Sequence, residues 1–203
     1  MLDDILEIED IIPVDHQKHI HDTMTSFNFP WAFNKNVVSD DKCFVNQKNN
    51  PPGFNHFFYE NNTSTSSFFE LVYPILLNLS SRNLVPFNRI IRMRGNLTLS
   101  NQSIGIDKFM PHIDSFFPHI VAIYYVNDSD GDTILFDQTN DDYDSGEKDI
   151  NTIKHGEFTI KRRVTPKQGK LLVFPGNRYH TASFCKDSNY RCVINMNLGK
   201  ILL

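Results

Sequence analysis

The chain has 203 residues, 40% apolar and 22% charged, which is enough to build one folded domain and excludes a disordered segment. Its formal charge of −4 argues against nucleic acid or an anionic membrane surface as the main partner. The acidic start, Met1-Leu2-Asp3-Asp4, lacks the basic region of a signal peptide, no apolar run approaches a membrane span, and the three cysteines form no CxxC pair, so a reducing, cytoplasmic setting is expected.

In chain order, residues 1–14 read as an edge strand or arm ending at Pro13. Asp15 is placed to cap a helix over residues 16–26, with Ile20, Met24 and Phe27 near helical spacing. His16, His19 and His21 fall there without partners at metal-binding spacing and read as solvated helix residues. Residues 28–62 look irregular, punctuated by Pro51-Pro52-Gly53. Trp31 and the cluster Phe54, His56, Phe57, Phe58 and Tyr59 would pack this loop on the core or wall a substrate site. Ser67-Phe68-Phe69-Glu70 has a capping-box pattern ahead of Val72, Leu76 and Leu79, and Pro74 must kink or split that helix.

From residue 88 the hydrophobic period becomes two. Met93, Leu97 and Leu99 share one face, while Arg92, Arg94, Asn96 and Thr98 share the other, which either meets solvent or lines a polar pocket. His119 to Val126 is a nearly continuous apolar run, as for a strand covered on both faces. Asn127 to Asp132 form an acidic turn, and the missing Glu at the twelfth position excludes a calcium loop of the EF-hand type. A strand at Thr133 to Phe136, a solvated loop over 138–150 and a strand at Glu157 to Arg163 follow. The last strands, Lys170 to Phe174, the one entering His180, and Tyr190 to Leu198, are separated by Pro and Gly turns. Cys185 and Cys192 read as small buried hydrophobes. About eight short strands with regular turns mean a sandwich or barrel, with a double-sheet jelly roll as the expected form. The expected organisation is one domain over 1–203, with helical and loop support in 1–86 and a mainly β core, flanked by helices, in 87–203.

The chemistry concentrates in Pro111-His112-Ile113-Asp114 and the distant Tyr179-His180-Thr181. On an extended backbone His112 and Asp114 point to the same side, and His180 can join them from a neighbouring strand. Two imidazoles and a carboxylate occupy one face of a ferrous ion and leave the other open for a chelating cosubstrate and O2. Arg191 shares a strand face with Val193, Asn195 and Asn197, and if that face is interior its guanidinium needs an anionic partner.

These motifs resemble those of the iron(II)- and 2-oxoglutarate-dependent dioxygenases, in particular the small prolyl-4-hydroxylase-like branch with phage-type members. The similarity runs through Arg94-Gly95-Asn96-Leu97, His112-Ile113-Asp114, Ile123 to Asn127, Asp130 to Thr133, Gly169 to Gly176, His180 and Tyr190-Arg191, with Phe29-Pro30-Trp31 and Gly53-Phe54 matching the N-terminal part. It implies a double-stranded β-helix, the cupin-like jelly roll, with flanking helices. It also implies Fe(II) held by His112, Asp114 and His180, the distal carboxylate of 2-oxoglutarate held by Arg191, and Tyr124 and Asn96 as further pocket residues. The implied reaction uses O2, releases succinate and CO2, and hydroxylates a protein, peptide or small-molecule substrate, with a peptidyl proline the family-weighted choice. Two departures stand out: Asp130-Gly131-Asp132 where a Gly-Gly pair is common, and Asn195 and Asn197 where bulkier residues often occur. The rival readings are a cupin-like metal enzyme that does not use 2-oxoglutarate, against which Arg191 speaks, and a non-catalytic binding or virion module, against which the full residue set speaks. The stretches 49–60 and 138–150 are expected to rim the open end of the barrel.

Overall fold

The computed structural model describes residues 5–37, 52–100, 107–140 and 158–199. Eight strands form the larger sheet, in the spatial order β1 (Leu6–Ile8), β9 (Leu171–Pro175), β6 (Ile120–Tyr125), β11 (Tyr190–Gly199), β5 (Arg89–Leu99), β3 (Gly53–Glu60) and β2 (Ala32–Asn34), with β4 (Thr63–Ser64) paired to β3. The smaller sheet runs β10 (Arg178–Ala182), β7 (Thr133–Thr139), β8 (Ile160–Val164). Every pairing is antiparallel, and the two sheets face each other as a jelly roll. No described helix is long and apolar enough to cross a membrane.

Side-chain alternation divides the interior into layers. On β6, Val121, Ile123 and Tyr125 turn toward the smaller sheet and join Leu135, Leu172, Phe174 and Val193 between the sheets. Their neighbours Ile120, Ala122 and Tyr124 turn the other way, as do Cys192, Ile194, Met196 and Leu198 of β11. That outer face is covered by α1 (Val14–Met24), α2 (Phe69–Val72) and α3 (Pro74–Ser81), through Ile20, Met24, Val72, Ile75 and Leu79. A third cluster, Ile113, Ile134, Phe136 and Tyr179, backs the smaller sheet on its far side.

Several local expectations need correction. The aromatic stretch after Pro52 is a strand, β3, hydrogen-bonded along β5. Its alternation is hidden because Phe57 and Phe58 are equally apolar, although only Phe58 is fully buried. Pro13, not Asp15, occupies the N-cap of α1, and Asp15 sits in its first turn. The capping box does not form: Phe68 is the N-cap of α2, and Ser66 Oγ accepts the Phe68 N–H instead. Pro74 does split the helix, standing in the first turn of α3, where it has no hydrogen bond to lose. Cys43, Asn49 to Pro51 and most of the 138–150 loop lie outside the described residues.

The acidic turn between β6 and β7 has a structural task. Asp130 accepts backbone N–H groups from Lys186, Asp187 and Ser188 at 2.8, 3.0 and 3.0 Å, clasping the connection that leads into β11. Asn127 accepts the Cys192 N–H at 2.8 Å. Burial pushes the Asp130 carboxyl up, but these backbone donors outweigh it and hold it well below the ordinary carboxylate range. A depressed carboxyl contributes stability above its unfolded pKa and loses it as pH falls toward the folded value. Asp130→Ala is therefore expected to cost about 1–3 kcal/mol at neutral pH, with the gap to wild type closing in acid below about pH 4. Chemical denaturation of both proteins across pH checks this; a gap that persists unchanged at low pH would contradict it.

Candidate metal centre

One backbone pairing assembles the cluster. His112 N–H donates to the His180 carbonyl and His180 N–H to the His112 carbonyl, both at 3.0 Å. Directly opposed residues of an antiparallel pair project to the same face. The two rings accordingly lie side by side, with centroids 4.6 Å apart. Ile113 points away into the cluster behind the smaller sheet, so Asp114 returns to the face of His112. A bulge between Arg178 and His180, where β10 shifts register on β7, sets the phase of His180. Ligating atoms of His112, Asp114 and His180 all fall within 4.8 Å of one another.

Each imidazole is oriented from behind. His112 Nδ1 lies 3.0 Å from the Met110 carbonyl and His180 Nδ1 lies 3.1 Å from the Arg178 carbonyl. A carbonyl only accepts, so both Nδ1 atoms carry a proton and Nε2 is the nitrogen each ring turns toward a metal. Burial, with His180 alongside, pushes the His112 imidazolium down to about 4, so its ring is neutral at physiological pH. Asp114 is 5% exposed. Burial pushes its carboxyl up, but His180, Arg92 and His112 prevail and hold it well below the ordinary range.

Asn195 and Asn197 of β11 donate side-chain N–H groups to Asp114 Oδ2 at 3.0 and 2.8 Å. Asp114 Oδ1 faces His112 Nε2 at 4.0 Å, with an Arg92 amine 3.4 Å away. The two asparagines thus tie down one carboxylate oxygen and present the other. Sequence reading placed them on the inward face yet missed this role, because nothing local links them to a residue more than 80 positions away. Their only signal was polarity on a strand otherwise packed with apolar side chains.

Arg191 points between the sheets and is 6% exposed. It donates to Thr133 Oγ1 at 2.8 Å and lies 5.7 Å from the centre of the Tyr125 ring. Tyr125 donates to the same Thr133 oxygen at 2.8 Å. No described carboxylate pairs with Arg191, and its Nε has no hydrogen-bond partner. Asn96 lines the cavity shared by Arg191, His112 and His180. Tyr124 does not: it lies on the helix side of β6, fully buried. Tyr125, on the opposite face of β6, is the tyrosine that lies beside Thr133 and Arg191, and sequence did not separate the two because the apolar run of β6 is buried on both faces and its alternation carries no visible phase. Of the expected rim, Glu60 lines an open polar groove beside Asp114, together with Asn61, Asn62, Arg89 and Ser115.

The donor set fits a divalent metal: two imidazole Nε2 atoms and an immobilised carboxylate on one face, with a cavity on the other. The buried guanidinium fits the far end of a dicarboxylate.

No protein-family model matches the chain, and no curated protein matches it in sequence. Solved structures match it in fold. A prolyl-4-hydroxylase from Pseudomonas putida aligns over 98% of this chain and 93% of its own, at 10% identity and a TM-score of 0.58. A non-heme alpha-ketoglutarate-dependent epimerase of nogalamycin biosynthesis aligns over 97% and 78%, at 11% identity and 0.62. A Trichoplax adhaerens prolyl hydroxylase, solved with a peptide fragment of the hypoxia-inducible factor oxygen degradation domain, aligns over 96% and 82%, at 10% identity and 0.60. The architecture is therefore the jelly roll found in 2-oxoglutarate-Fe(II) oxygenases.

If Asn197 positions Asp114, Asn197→Ala should weaken binding of a divalent metal about 10–100-fold while the protein stays folded. Metal titration of both proteins, alongside their far-UV circular dichroism, measures this; equal affinities would refute the positioning role.

Proposed function

We propose that this protein is an iron(II)- and 2-oxoglutarate-dependent dioxygenase, with His112, Asp114 and His180 as the metal ligands and Arg191 as the cosubstrate anchor. The observation that carries the reading is Arg191. A guanidinium buried with no acidic partner is costly to maintain unless an anion completes it. It opens on the same cavity as the two histidines, so the missing anion and the metal belong to one site. A cupin-like enzyme without 2-oxoglutarate, or a binding module, gives that guanidinium nothing to do.

Within this reading each residue has a distinct task. The Met110 and Arg178 carbonyls fix the tautomers that make His112 and His180 ligands. Asn195 and Asn197 hold Asp114 so that one oxygen faces the metal. Arg191 offers a planar fork to the distal carboxylate, and the Thr133 hydroxyl, which accepts from Arg191 and Tyr125, is left with its own proton to donate. Ile123 and Val193 form apolar cavity wall that excludes water. Iron and 2-oxoglutarate, when bound, supply the oxidising chemistry, in which O2 is consumed, succinate and CO2 are released and one oxygen atom enters the substrate. Substrate enters along the groove lined by Glu60, Asn62 and Ser115, which runs beside Asp114. The peptide carried by the Trichoplax neighbour supports a protein or peptide substrate.

Arg191 provides the test. Arg191→Ala should cost about 3–5 kcal/mol of 2-oxoglutarate binding, since it strands a buried carboxylate. Arg191→Lys, a point charge in place of a fork, should raise the KM for 2-oxoglutarate and keep some turnover. Iron affinity without cosubstrate should not move. Succinate release measured against 2-oxoglutarate concentration decides; a normal KM in Arg191→Ala would remove Arg191 from the anchor.

A further inference from the structure

The site holds more positive charge than iron and 2-oxoglutarate use. The inward face of β5 carries Arg92 and Arg94 beside Asp114 and Asn195. Arg94 lines the cavity with His112 and His180, and its Nε is buried without a hydrogen-bond partner. Asp114 and Glu60 act on it only through space, neither within ion-pair distance. The Phe57 ring, opposite on β3, flanks the guanidinium at 5.9 Å. A cation walled by an aromatic face and a cavity, with no anion in contact among the described residues, is an incomplete site.

Position along the strands separates this cation from the cosubstrate anchor. Arg94 is paired with Asn195 and Arg92 with Asn197, the two residues that hold Asp114, so both arginines stand level with the metal ligands. Arg191 is paired with Thr98, four residues deeper, which is about 13 Å along an extended strand. A cosubstrate reaching from the metal to Arg191 runs away from Arg94. Charge agrees with position. A divalent metal and Arg191 are balanced by Asp114 and a cosubstrate dianion. Among the described residues Arg92 and Arg94 then remain, and Glu60 at the groove offsets only one of them.

We propose that Arg94, assisted by Arg92, is a substrate anchor, and that the substrate carries an oxyanion, a carboxylate or phosphate, close to the carbon that is oxidised. This inference rests on the dioxygenase reading for the meaning of the neighbouring metal and cosubstrate. A guanidinium accepts either oxyanion in two parallel hydrogen bonds. A substrate that is neutral near its reacting carbon would leave Arg94 buried and unpaired in the closed complex.

The experiment is anaerobic calorimetry on the full chain loaded with Mn(II) and 2-oxoglutarate, titrated separately with sodium phosphate and sodium acetate. Wild type should bind at least one of the two saturably, without releasing 2-oxoglutarate. The probe that binds more tightly identifies the oxyanion. Arg94→Gln should weaken that binding about tenfold or more, and Arg94→Lys should restore part of it, with Mn(II) and 2-oxoglutarate affinities unchanged. Absence of saturable binding, binding that survives in Arg94→Gln, or binding that displaces 2-oxoglutarate overturns the proposal. If Mn(II) and 2-oxoglutarate themselves fail to bind, the dioxygenase reading fails; an Arg94-dependent anion site measured in that protein would then stand apart from it.

Discussion

The pair of backbone hydrogen bonds exchanged by His112 and His180 is the constraint on which the candidate centre depends. It is an isolated bridge rather than part of a named strand, yet it determines three side-chain directions. Opposed residues share a face, which brings the imidazoles together, and the period of two returns Asp114 to that face. Ile113, fully buried in the cluster behind, makes the register costly to slip: a shift of one residue would send it into a polar cavity and send both ligands into apolar packing.

The strand β11 is the second constraint, because it serves two interiors at once. Cys192, Ile194, Met196 and Leu198 anchor it to the helices, while Arg191 and Asn195 face the cavity and Asn197 the groove beside Asp114. Its outward face is ordinary core and supplies the packing energy that offsets the polar inward face. Asp130 and Asn127 hold the start of this strand from the β6–β7 turn, so a turn that looks like surface charge helps to place Arg191. Polar groups inside the barrel are tolerable because most are tied to each other: asparagines to Asp114, Arg191 to Thr133, Thr133 to Tyr125. The guanidinium Nε atoms of Arg92, Arg94 and Arg191 are buried without a hydrogen-bond partner, and they are the groups that the proposed ligands would complete.

Much of this was legible in the sequence wherever polar and apolar residues alternate. Which residues of β5 share a face, Arg92, Arg94, Asn96 and Thr98, and which of β11 do, could be read directly, since polar residues marked one phase, while the direction of the β5 face was left open between solvent and pocket. On β6 every residue is buried, polarity marks no phase, and Tyr124 was placed where Tyr125 stands. β3 was hidden by an aromatic run beside Pro and Gly that mimics a loop. The contacts of Asn195 and Asn197 with Asp114 join segments far apart in the chain, and only the fold brings them together. The same holds for the through-space relation between Arg94 and the metal ligands: two arginines on an exposed-looking strand face become an excess of charge only once β11 is laid beside them.

On the proposed reading this geometry binds a metal and a 2-oxo acid as one unit. Anaerobic titration of Fe(II) into the protein with 2-oxoglutarate present tests it most directly, followed by visible absorption. Chelation of iron by the keto oxygen and adjacent carboxylate should give a weak visible charge-transfer band that requires both components and is abolished in His180→Ala. A spectrum that shows no band with both present, or a band that survives in His180→Ala, would contradict the account.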